Sequence, residues 1–391
     1  MSGADPQADD LTADGLDTPV FVLDFKRLRA NLETAARIRR EAGVTVLLAT
    51  KAFAMPAAFP LMRDYLDGTT ASGLFEARLG AEEFGKDVHV YSPAYAPGEI
   101  DALLPLARHI YFNAAEQLAR FAPVVRAAGA ATGLRVNPGF SNATLGGALY
   151  DPCAPGSRFG EVPDRLDAVD WDLVDIFHVH ALCESLHDGS LALIDHVANR
   201  FAPYLARVDA VNFGGGHFIN KPGYDVNALI RALIDFRTRF NVDVILEPGA
   251  GLVVDTGELV STVLALHRND KDLAIIDASA STHMPDVLEA PYRPGIIGAG
   301  APGDEPHVYT LGGKTCMAGD VIGEYAFPAP LAVGDRLVFA DQMHYAFVKT
   351  NTFNGVPLAN LAVRHEDGRL EPVSAFDYAA FRDRLGRALP D

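Results

Sequence analysis

The chain has 391 residues, 49% of them hydrophobic, and its 33 Lys and Arg stand against 51 Asp and Glu, for a formal net charge of −18. This length predicts two or three domains with a large buried core. The negative charge disfavours nucleic acid as a partner and favours a small cationic ligand. No run of about 18 apolar residues predicts a membrane helix.

Residues 1–16 are acidic and polar and predict a short disordered tail, without the basic and apolar regions of a signal peptide. The three cysteines, Cys153, Cys183 and Cys316, lie far apart and form no Cys-x-x-Cys pair. This spacing favours neither a disulfide framework nor a structural zinc site. We therefore expect a protein of the reducing cytoplasm.

Eight strand-like segments follow, separated by stretches such as 115–129 and 226–240 whose apolar residues have helical spacing. In chain order the segments are TVLLAT (45–50), DGTTAS (67–72), DVHVYS (87–92), HIYFN (109–113), TGLRVNP (132–138), DIFHVHA (175–181), AVNFGGG (210–216) and DVILEPG (243–249). No Gly-x-Gly-x-x-Gly turn follows the first of them. The pattern predicts an α/β fold with a (β/α)8 TIM barrel rather than a doubly wound sheet.

The rhythm changes at about residue 257, where strand-like segments alternate with turns rich in Gly, Pro and Asp. These segments predict a β-rich C-terminal domain, either a β-sandwich or a β-barrel-like structure, which the strand TPVFVLD (18–24) also joins. We assign 25–256 to the barrel, and 17–24 together with 257–391 to the β-rich domain. Segment 138–174 exceeds an ordinary connection and is a candidate active-site loop.

Several side chains that could take part in catalysis or binding lie where the predicted barrel strands end. In such barrels, functional groups gather at the C-terminal ends of the strands, and the loops after strands seven and eight often hold phosphate. The residues at these ends are Lys51, Thr70, His180, Gly214 to Gly216, and Glu247.

Each residue also has a plain structural interpretation. Lys51 suits a strand end that extends into water, and the three glycines suit a turn. Glu247, before Pro-Gly, suits the end of a strand. His178 and His180 share one strand face, and we expect one of them to be a core histidine with satisfied hydrogen bonds.

Taken together, a lysine, a phosphate cradle, a flat imidazole and a carboxylate are the groups that hold pyridoxal phosphate. The lysine amine forms a Schiff base with the cofactor aldehyde if its pKa is lowered. A carboxylate, for which Glu247 is the candidate, keeps the ring nitrogen protonated. The alternative is a metal-dependent barrel hydrolase that uses His178 and His180, although such enzymes usually carry this pair on the first strand.

The order of motifs resembles the barrel-type pyridoxal phosphate decarboxylases, which include ornithine, diaminopimelate and carboxynorspermidine decarboxylases. The resemblance extends from about residue 17 to the end of the chain and is strongest to the carboxynorspermidine/carboxyspermidine branch. The motifs are TPVFVLD, ATKAF, GTTASGLFE, NPGFS, FHVHALCE, GGGHFINKPGYD, EPG, HMPDVLEAPYRP, CMAGD and VKTNTFNG. It implies decarboxylation of carboxynorspermidine or carboxyspermidine to norspermidine or spermidine.

The resemblance also implies roles for residues of the barrel. Lys51 would form the Schiff base, His180 would stack on the cofactor ring, and Glu76 would support that histidine or the ring. The remaining cofactor contacts would come from the N–H groups of the glycine turn and from the end of the eighth strand. These residues are Gly214, Gly215, Gly216, Glu247 and Gly249.

For the C-terminal domain, the resemblance implies a homodimer with shared active sites. Cys316, as a proton donor, and Asp320 would enter the site from the partner subunit. Tyr345 would contact the cofactor, and Asn354 would line the same interface near the substrate.

Two departures from the other branches bear on the substrate. Met317 and Thr70 stand where ornithine and diaminopimelate enzymes carry acidic residues, which favours the polyamine branch. Further residues in motif positions could meet the substrate: Glu184, Asp286 and Asp320 its ammonium groups, and Arg158 its carboxylate. Another amino acid, such as diaminopimelate, ornithine or a precursor in secondary metabolism, stays an alternative, as does a catalytically silent relative.

Overall fold

A computed structural model describes residues 13–142 and 151–386. The chain divides into two units, one formed by residues up to 28 and from 253 onward, the other by residues 29–252. The expected boundaries were 24/25 and 256/257. Of the predicted tail, 1–12 lie outside the described residues, whereas Ala13 is buried and its carbonyl accepts a hydrogen bond from Arg336 (2.6 Å).

The described residues form strands and α-helices in the following order. The strands are β1 Val20–Asp24, β2 Thr45–Ala49, β3 Gly68–Ala71, β4 Asp87–Tyr91, β5 His109–Phe112, β6 Ala131–Arg135, β7 Ile176–His178, β8 Ala210–Asn212, β9 Asp243–Leu246, β10 Gly257–Asn269, β11 Lys271–Ile276, β12 His307–Gly312, β13 Val321–Phe327, β14 Arg336–Phe339, β15 Asn360–Arg364 and β16 Leu370–Ser374. The helices are α1 Phe25–Ala42, α2 Phe59–Met62, α3 Leu74–Leu79, α4 Glu99–Leu103, α5 Ala115–Ala127, α6 His187–Arg200, α7 Ala202–Leu205, α8 Val226–Phe240, α9 Ala250–Val253, α10 Ala280–His283, α11 Asp286–Glu289 and α12 Tyr378–Leu385.

Strands β2 to β9 form a closed barrel in which each strand pairs in parallel with the next and β9 pairs with β2. The predicted TIM barrel is therefore confirmed, with all eight strands at the expected segments. The strands read as nearly continuous apolar runs because both faces of a parallel sheet are buried. Leu47, Tyr111, Ile176, Ala210 and Ile245 from five different strands form one buried cluster, which fills the barrel interior.

The long segment between β6 and β7 is partly described. Residues 143–150 of the predicted loop lie outside the described residues. The later part contains two short 3-10 helices, Pro163–Ala168 and Trp171–Leu173. Trp171 is buried and stacks on Tyr204 (4.8 Å between ring centroids), so this end of the segment belongs to the core.

The other unit is built on one connected, mixed sheet of eight strands, which confirms the predicted β-rich domain. The predicted strand TPVFVLD joins it as β1, antiparallel to β10 and parallel to β15. The first half of β10 pairs with β1 and β14, and its second half pairs with β11. Within the described ranges, no helix combines the length and the apolar character that a membrane span requires.

Candidate active site

The candidate catalytic and binding residues of the barrel unit lie at the C-terminal ends of its strands. Parallel pairing brings these ends to one rim, since every strand runs in the same direction. The rim residues are Lys51 after β2, Thr70 in β3, Arg135 in β6, His178 in β7, Asn212 in β8 and Glu247 after β9.

The side chain of Lys51 is accessible to water but is also surrounded by protein atoms. Its side chain is exposed, yet desolvation by the surrounding atoms is the largest cause that lowers its pKa, followed by the positive charge of Arg135. The carboxylates of Glu247 and Glu76 act in the opposite direction. A lysine that water reaches but protein surrounds lines a recess, and a lowered pKa increases the fraction of nucleophilic neutral amine.

Glu247 is buried and hydrogen-bonded at one oxygen. Its Oε1 accepts a bond from Nδ2 of Asn212 (2.8 Å), while its Oε2 lies 3.8 Å from Nε2 of His178. Burial raises the pKa of Glu247, and bonds from Asn212 and Thr70 and the charges of Lys51 and Arg135 partly counter this effect. Glu247 is therefore a carboxylate whose charge depends on its hydrogen-bond donors.

His180 is oriented by the glycine turn. The N–H of Gly215 donates to Nδ1 of His180 (2.9 Å), so the neutral ring carries its proton on Nε2. Burial and the charges of Lys51 and Arg135 hold the pKa of His180 well below its usual range, which keeps the ring neutral. A neutral imidazole fixed at one nitrogen is suited to stacking on a flat ring.

The glycine turn differs in detail from the predicted phosphate cradle. The N–H of Gly214 donates to Oδ1 of Asn212 (2.8 Å) and that of Gly215 donates to His180, so two of the three groups have acceptors within the protein. Gly214 and Gly216 have φ values of +65° and +87°, and a Cβ on Gly216 would lie 2.2 Å from the carbonyl of Leu182. Glycine is required here for close packing, and the first two N–H groups orient protein side chains.

Gly249 and Glu76 support the segment that carries Lys51. A Cβ on Gly249 would lie 2.6 Å from that of Ala52, so the glycine allows the turn after β9 to pack against this segment. Oε2 of Glu76 accepts bonds from Thr50 Oγ1 (2.9 Å) and the N–H of Ser72 (2.6 Å). Glu76 thus supports the chain beside Lys51, and the expected support of His180 or of the cofactor ring stays a prediction.

Arg135 was missed by sequence analysis although it is central to the rim. It is buried, its Nη2 donates to the carbonyl of His180 (3.1 Å), and its guanidinium lies over the rings of Tyr91 (4.7 Å) and Phe159 (4.6 Å). Its charge lowers the pKa of Lys51. The available signal was an arginine at the end of the fifth predicted barrel strand.

His178 is a core histidine, as expected, but it lacks the hydrogen bonds that were expected for it. Both ring nitrogens are buried and have no hydrogen-bond partner among the described residues. Its ring packs against the rings of Tyr111 and Tyr91, at distances of 4.9 Å and 5.4 Å between ring centroids. His178 therefore places in the rim two buried polar atoms without a partner in the described ranges, one of which, Nε2, lies 3.8 Å from Glu247 Oε2.

The structure also allows the metal alternative to be tested. Nitrogen or oxygen atoms of His178, His180 and Glu247 lie within 4.8 Å of one another. However, Nδ1 of His180 accepts from Gly215 and Nε2 then carries the proton, so neither nitrogen offers a free lone pair. Because a metal ligand must be deprotonated and Lys51 and Arg135 add positive charge, this arrangement disfavours a cation.

Within the sheet-containing unit, Cys316 and Asn354 are joined by a hydrogen bond. Cys316 is an exposed free thiol, and its N–H donates to Oδ1 of Asn354 (2.8 Å). Asn354 has φ +55°, a left-handed conformation that asparagine adopts more readily than most residues. The predicted interface residue Asn354 therefore orders the backbone that presents the thiol.

Two predicted substrate ligands have other partners. Asp320 is buried and both of its oxygens accept from Ser279 (2.9 and 2.8 Å), with a further bond from Thr315 Oγ1 (2.5 Å). Asp286 forms an ion pair with Lys349 (2.5 Å). Asp320 thus orders its own loop, and Asp286 neutralises a lysine of the same unit, while their roles as substrate ligands stay predictions.

The remaining predicted residues are surface-accessible to different degrees. Glu184 is exposed with φ +43°, and Tyr345 is half-buried with φ +37°. Arg158 is exposed, and its guanidinium lies 4.2 Å from the ring centroid of Phe159. Such left-handed non-glycine residues are often found at functional sites.

Comparisons with known proteins place this geometry in a family. A model described as pyridoxal-dependent decarboxylase, C-terminal sheet domain, matches residues 20–342. The chain belongs to the pyridoxal-dependent decarboxylase family.

Relatives within this family resemble the chain over nearly its whole length. Carboxyaminopropylagmatine decarboxylase of Synechocystis sp. is 42% identical over 95% of this chain and 96% of its own. Carboxynorspermidine/carboxyspermidine decarboxylase of Campylobacter jejuni is 38% identical over 93% of this chain and 97% of its own. The crystal structure of carboxynorspermidine decarboxylase from Campylobacter jejuni, complexed with norspermidine, has a TM-score of 0.87 at 36% identity and covers 94% of this chain and 100% of that one.

The rim residues of this family member fit its cofactor. Lys51 offers an amine with lowered pKa, and Glu247 offers a buried carboxylate. Nε2 of His178, which has no hydrogen-bond partner among the described residues, lies 3.8 Å from that carboxylate. A Cβ on Gly215 would lie 2.6 Å from the carbonyl of Glu247, so the turn lies against the end of β9. An amine for the aldehyde and a carboxylate for the ring nitrogen are therefore both present on this rim.

Proposed function

We propose that this protein binds pyridoxal 5'-phosphate and decarboxylates a carboxylated polyamine, carboxynorspermidine or carboxyspermidine, to norspermidine or spermidine. The observation that carries the proposal is the gathering of Lys51, His180 and Glu247 on one barrel rim. It occurs in a chain that is 38% identical to a decarboxylase of these compounds. The protein's negative charge suits a cationic substrate.

Lys51 binds the cofactor's aldehyde, and its lowered pKa keeps part of the amine neutral and reactive. His180 stacks on the cofactor ring, and Glu247 holds the proton on the ring nitrogen. When bound, the cofactor supplies an electron-accepting ring that stabilises the charge left on the α-carbon as carbon dioxide departs. Arg135 fixes the backbone of His180 through its bond to the carbonyl of that residue.

Cys316 donates a proton to the α-carbon from a partner subunit, so the proposed enzyme is a homodimer with shared active sites. Asn354 orders the loop of Cys316, Tyr345 contacts the cofactor, and exposed Glu184 binds an ammonium group of the substrate. Mixing Lys51→Ala with Cys316→Ala protein tests this arrangement. Activity that returns to about a quarter of wild type, the statistical share of intact sites, supports it; two inactive proteins that stay inactive when mixed contradict it.

The experiment that tests the function measures carbon dioxide release from seven substrates. They are carboxynorspermidine, carboxyspermidine, carboxyaminopropylagmatine, diaminopimelate, ornithine, lysine and arginine. We expect activity with the first two to exceed activity with the four amino acids by at least about 100-fold. A preference for any of the four amino acids contradicts the proposal.

Carboxyaminopropylagmatine is a second candidate substrate because a relative 42% identical to this chain is a decarboxylase of that compound. It differs at the far end, where a planar guanidinium replaces a compact ammonium group. A higher kcat/KM for carboxyaminopropylagmatine than for carboxyspermidine assigns the protein to this second substrate.

Three lysine variants test whether the protein binds the cofactor: two replace Lys51, with loss or retention of its positive charge, and one replaces a surface lysine as a control. We expect wild-type protein with pyridoxal phosphate to show a visible absorbance band that Lys51→Ala and Lys51→Arg lack. Lys271→Ala serves as the control, because Lys271 is exposed and paired with Glu324 on the surface. A colourless wild-type protein with full activity contradicts the proposal.

A further inference from the structure

We infer that Asn212 and Tyr111 are positioning residues, which form a buried hydrogen-bond relay from His89 that holds the Glu247 carboxylate toward the cofactor's ring nitrogen. The inference rests on the proposed function, in which Glu247 pairs with that nitrogen. It assigns a role in the reaction to residues of the barrel interior that lie behind the rim.

The direction of the relay follows from one backbone contact. The N–H of Gly214 donates to the side chain of Asn212 (2.8 Å), so the acceptor there is Oδ1. The amide Nδ2 must therefore face the other way, where it donates both to Oε1 of Glu247 (2.8 Å) and to the hydroxyl of Tyr111 (3.0 Å). The glycine turn thereby fixes which end of Asn212 meets the carboxylate.

The hydroxyl of Tyr111 has a defined donor and acceptor role in the relay. Because its oxygen accepts from Asn212, its hydrogen is free to point at Nδ1 of His89, 3.0 Å away. Burial and the neighbouring His109 hold the pKa of His89 well below its usual range, so the ring is neutral and offers a lone pair. Each group in the relay is thus satisfied in a single orientation.

Because the relay is buried, the orientation of Asn212 influences the charge state of Glu247. Asn212 and Tyr111 are fully buried and His89 is 1% exposed, so no water competes for these bonds. Burial alone favours the neutral form of Glu247, whereas a donated N–H favours the carboxylate. With Oε1 held by Asn212, Oε2 is left on the side of the unpartnered His178.

The test compares two cofactors rather than activity. Apoprotein is titrated with pyridoxal phosphate and with its 1-deaza analogue, in which C–H replaces the ring nitrogen while aldehyde and phosphate are retained. The ratio of the two dissociation constants reports only the contact at the ring nitrogen. The variants are Asn212→Asp, which keeps the acceptor for Gly214 but loses the donor to Glu247, and Tyr111→Phe, which removes the end of the relay.

Tyr325→Phe is the matched control, because Tyr325 is also a buried tyrosine and donates only to the carbonyl of Pro294 (2.8 Å) in the other unit. We expect wild type and Tyr325→Phe to prefer pyridoxal phosphate over the analogue. The preference should fall about 10- to 100-fold in Asn212→Asp, the effect of losing a hydrogen bond to a charged group, and a few-fold in Tyr111→Phe.

The outcomes separate the two proposals. If wild-type protein binds both cofactors equally well, the pairing of Glu247 with the ring nitrogen fails and the inference falls with it. If wild type discriminates and Tyr111→Phe and Asn212→Asp discriminate as strongly, the relay is overturned while the proposed function stands. Should Asn212→Asp fail to fold, Tyr111→Phe decides alone, since it removes a single oxygen.

Discussion

The N–H of Gly215 donates a hydrogen bond to Nδ1 of His180 over 2.9 Å, and this contact assigns the protonation of the ring. The glycine turn after β8 therefore orients the imidazole as well as allowing close approach of the backbone. It also removes the lone pair that a metal would need at this histidine. One hydrogen bond thus favours cofactor chemistry over metal chemistry at the rim.

Replacing Gly215 by alanine should disturb both His180 and Glu247. The new Cβ would lie 2.6 Å from the carbonyl oxygen of Glu247 and 3.3 Å from Cε1 of His180, so the turn must shift. A displacement of this kind in a catalytic site lowers kcat/KM by about 100-fold. Steady-state decarboxylation is the measurement, with Gly295→Ala as the control because no atom lies within 4 Å of its added Cβ. Equal activity of the two variants would argue against the assigned packing.

The buried histidines make stability depend on pH. Burial lowers the pKa of His217 to about 4, below its ordinary value of about 6.5 in an unfolded chain. The unfolded chain therefore binds more protons below pH 6.5, and stability is lost as the pH falls from about 6.5 toward 4. His217 alone should contribute roughly 2 kcal/mol to the difference between pH 8 and pH 5.

Urea unfolding of wild type and His217→Gln at both pH values checks this contribution. The comparison uses the difference between pH values, so the lost bond to Ser190 Oγ (2.9 Å) cancels to first order. The variant should lose less stability on acidification than wild type. An identical loss in both proteins would show that His217 titrates normally.

Substitution of Asp320 by alanine should destabilise the sheet-containing unit rather than weaken substrate binding alone. Its buried carboxylate accepts bonds from Ser279 and Thr315, which would lose their acceptor. We expect a loss of about 2–4 kcal/mol in the free energy of unfolding. Asp367→Ala is the control, since Asp367 is an exposed turn carboxylate. Unchanged stability with a raised KM would support the prediction of a substrate ligand.

The loop of Cys316 should depend on the side chain of Asn354. Asn354→Gly retains the left-handed conformation but removes the acceptor, whereas Asn354→Asp keeps an acceptor for the N–H of Cys316. Amide hydrogen exchange of the peptide around Cys316 should accelerate about 10-fold in the glycine variant and little in the aspartate variant. Similar exchange in both variants would indicate that the contact does not order the loop.

The architecture and the principal chemical groups were predictable from hydrophobic pattern and motif position. Hydrophobic runs at eight strand positions predicted the barrel because parallel strands are buried on both faces, a property that composition records directly. Lys51, His180 and Glu247 were predicted because strand order alone assigns their positions to one rim. These conclusions depend on local pattern and on the fixed direction of parallel strands.

The hydrogen-bond partner of each polar group, in contrast, is known only from the three-dimensional structure. Arg135, Asn212 and Tyr111 lie on three different strands. The contacts of Arg135 with His180, of Asn212 with Glu247 and of Asn212 with Tyr111 join residues 45, 35 and 101 positions apart. Asp320 and Asp286 have suitable charge for an ammonium group, yet Ser279 and Lys349 already occupy them. A hydrogen bond requires distance and direction between atoms, and a one-dimensional pattern specifies neither.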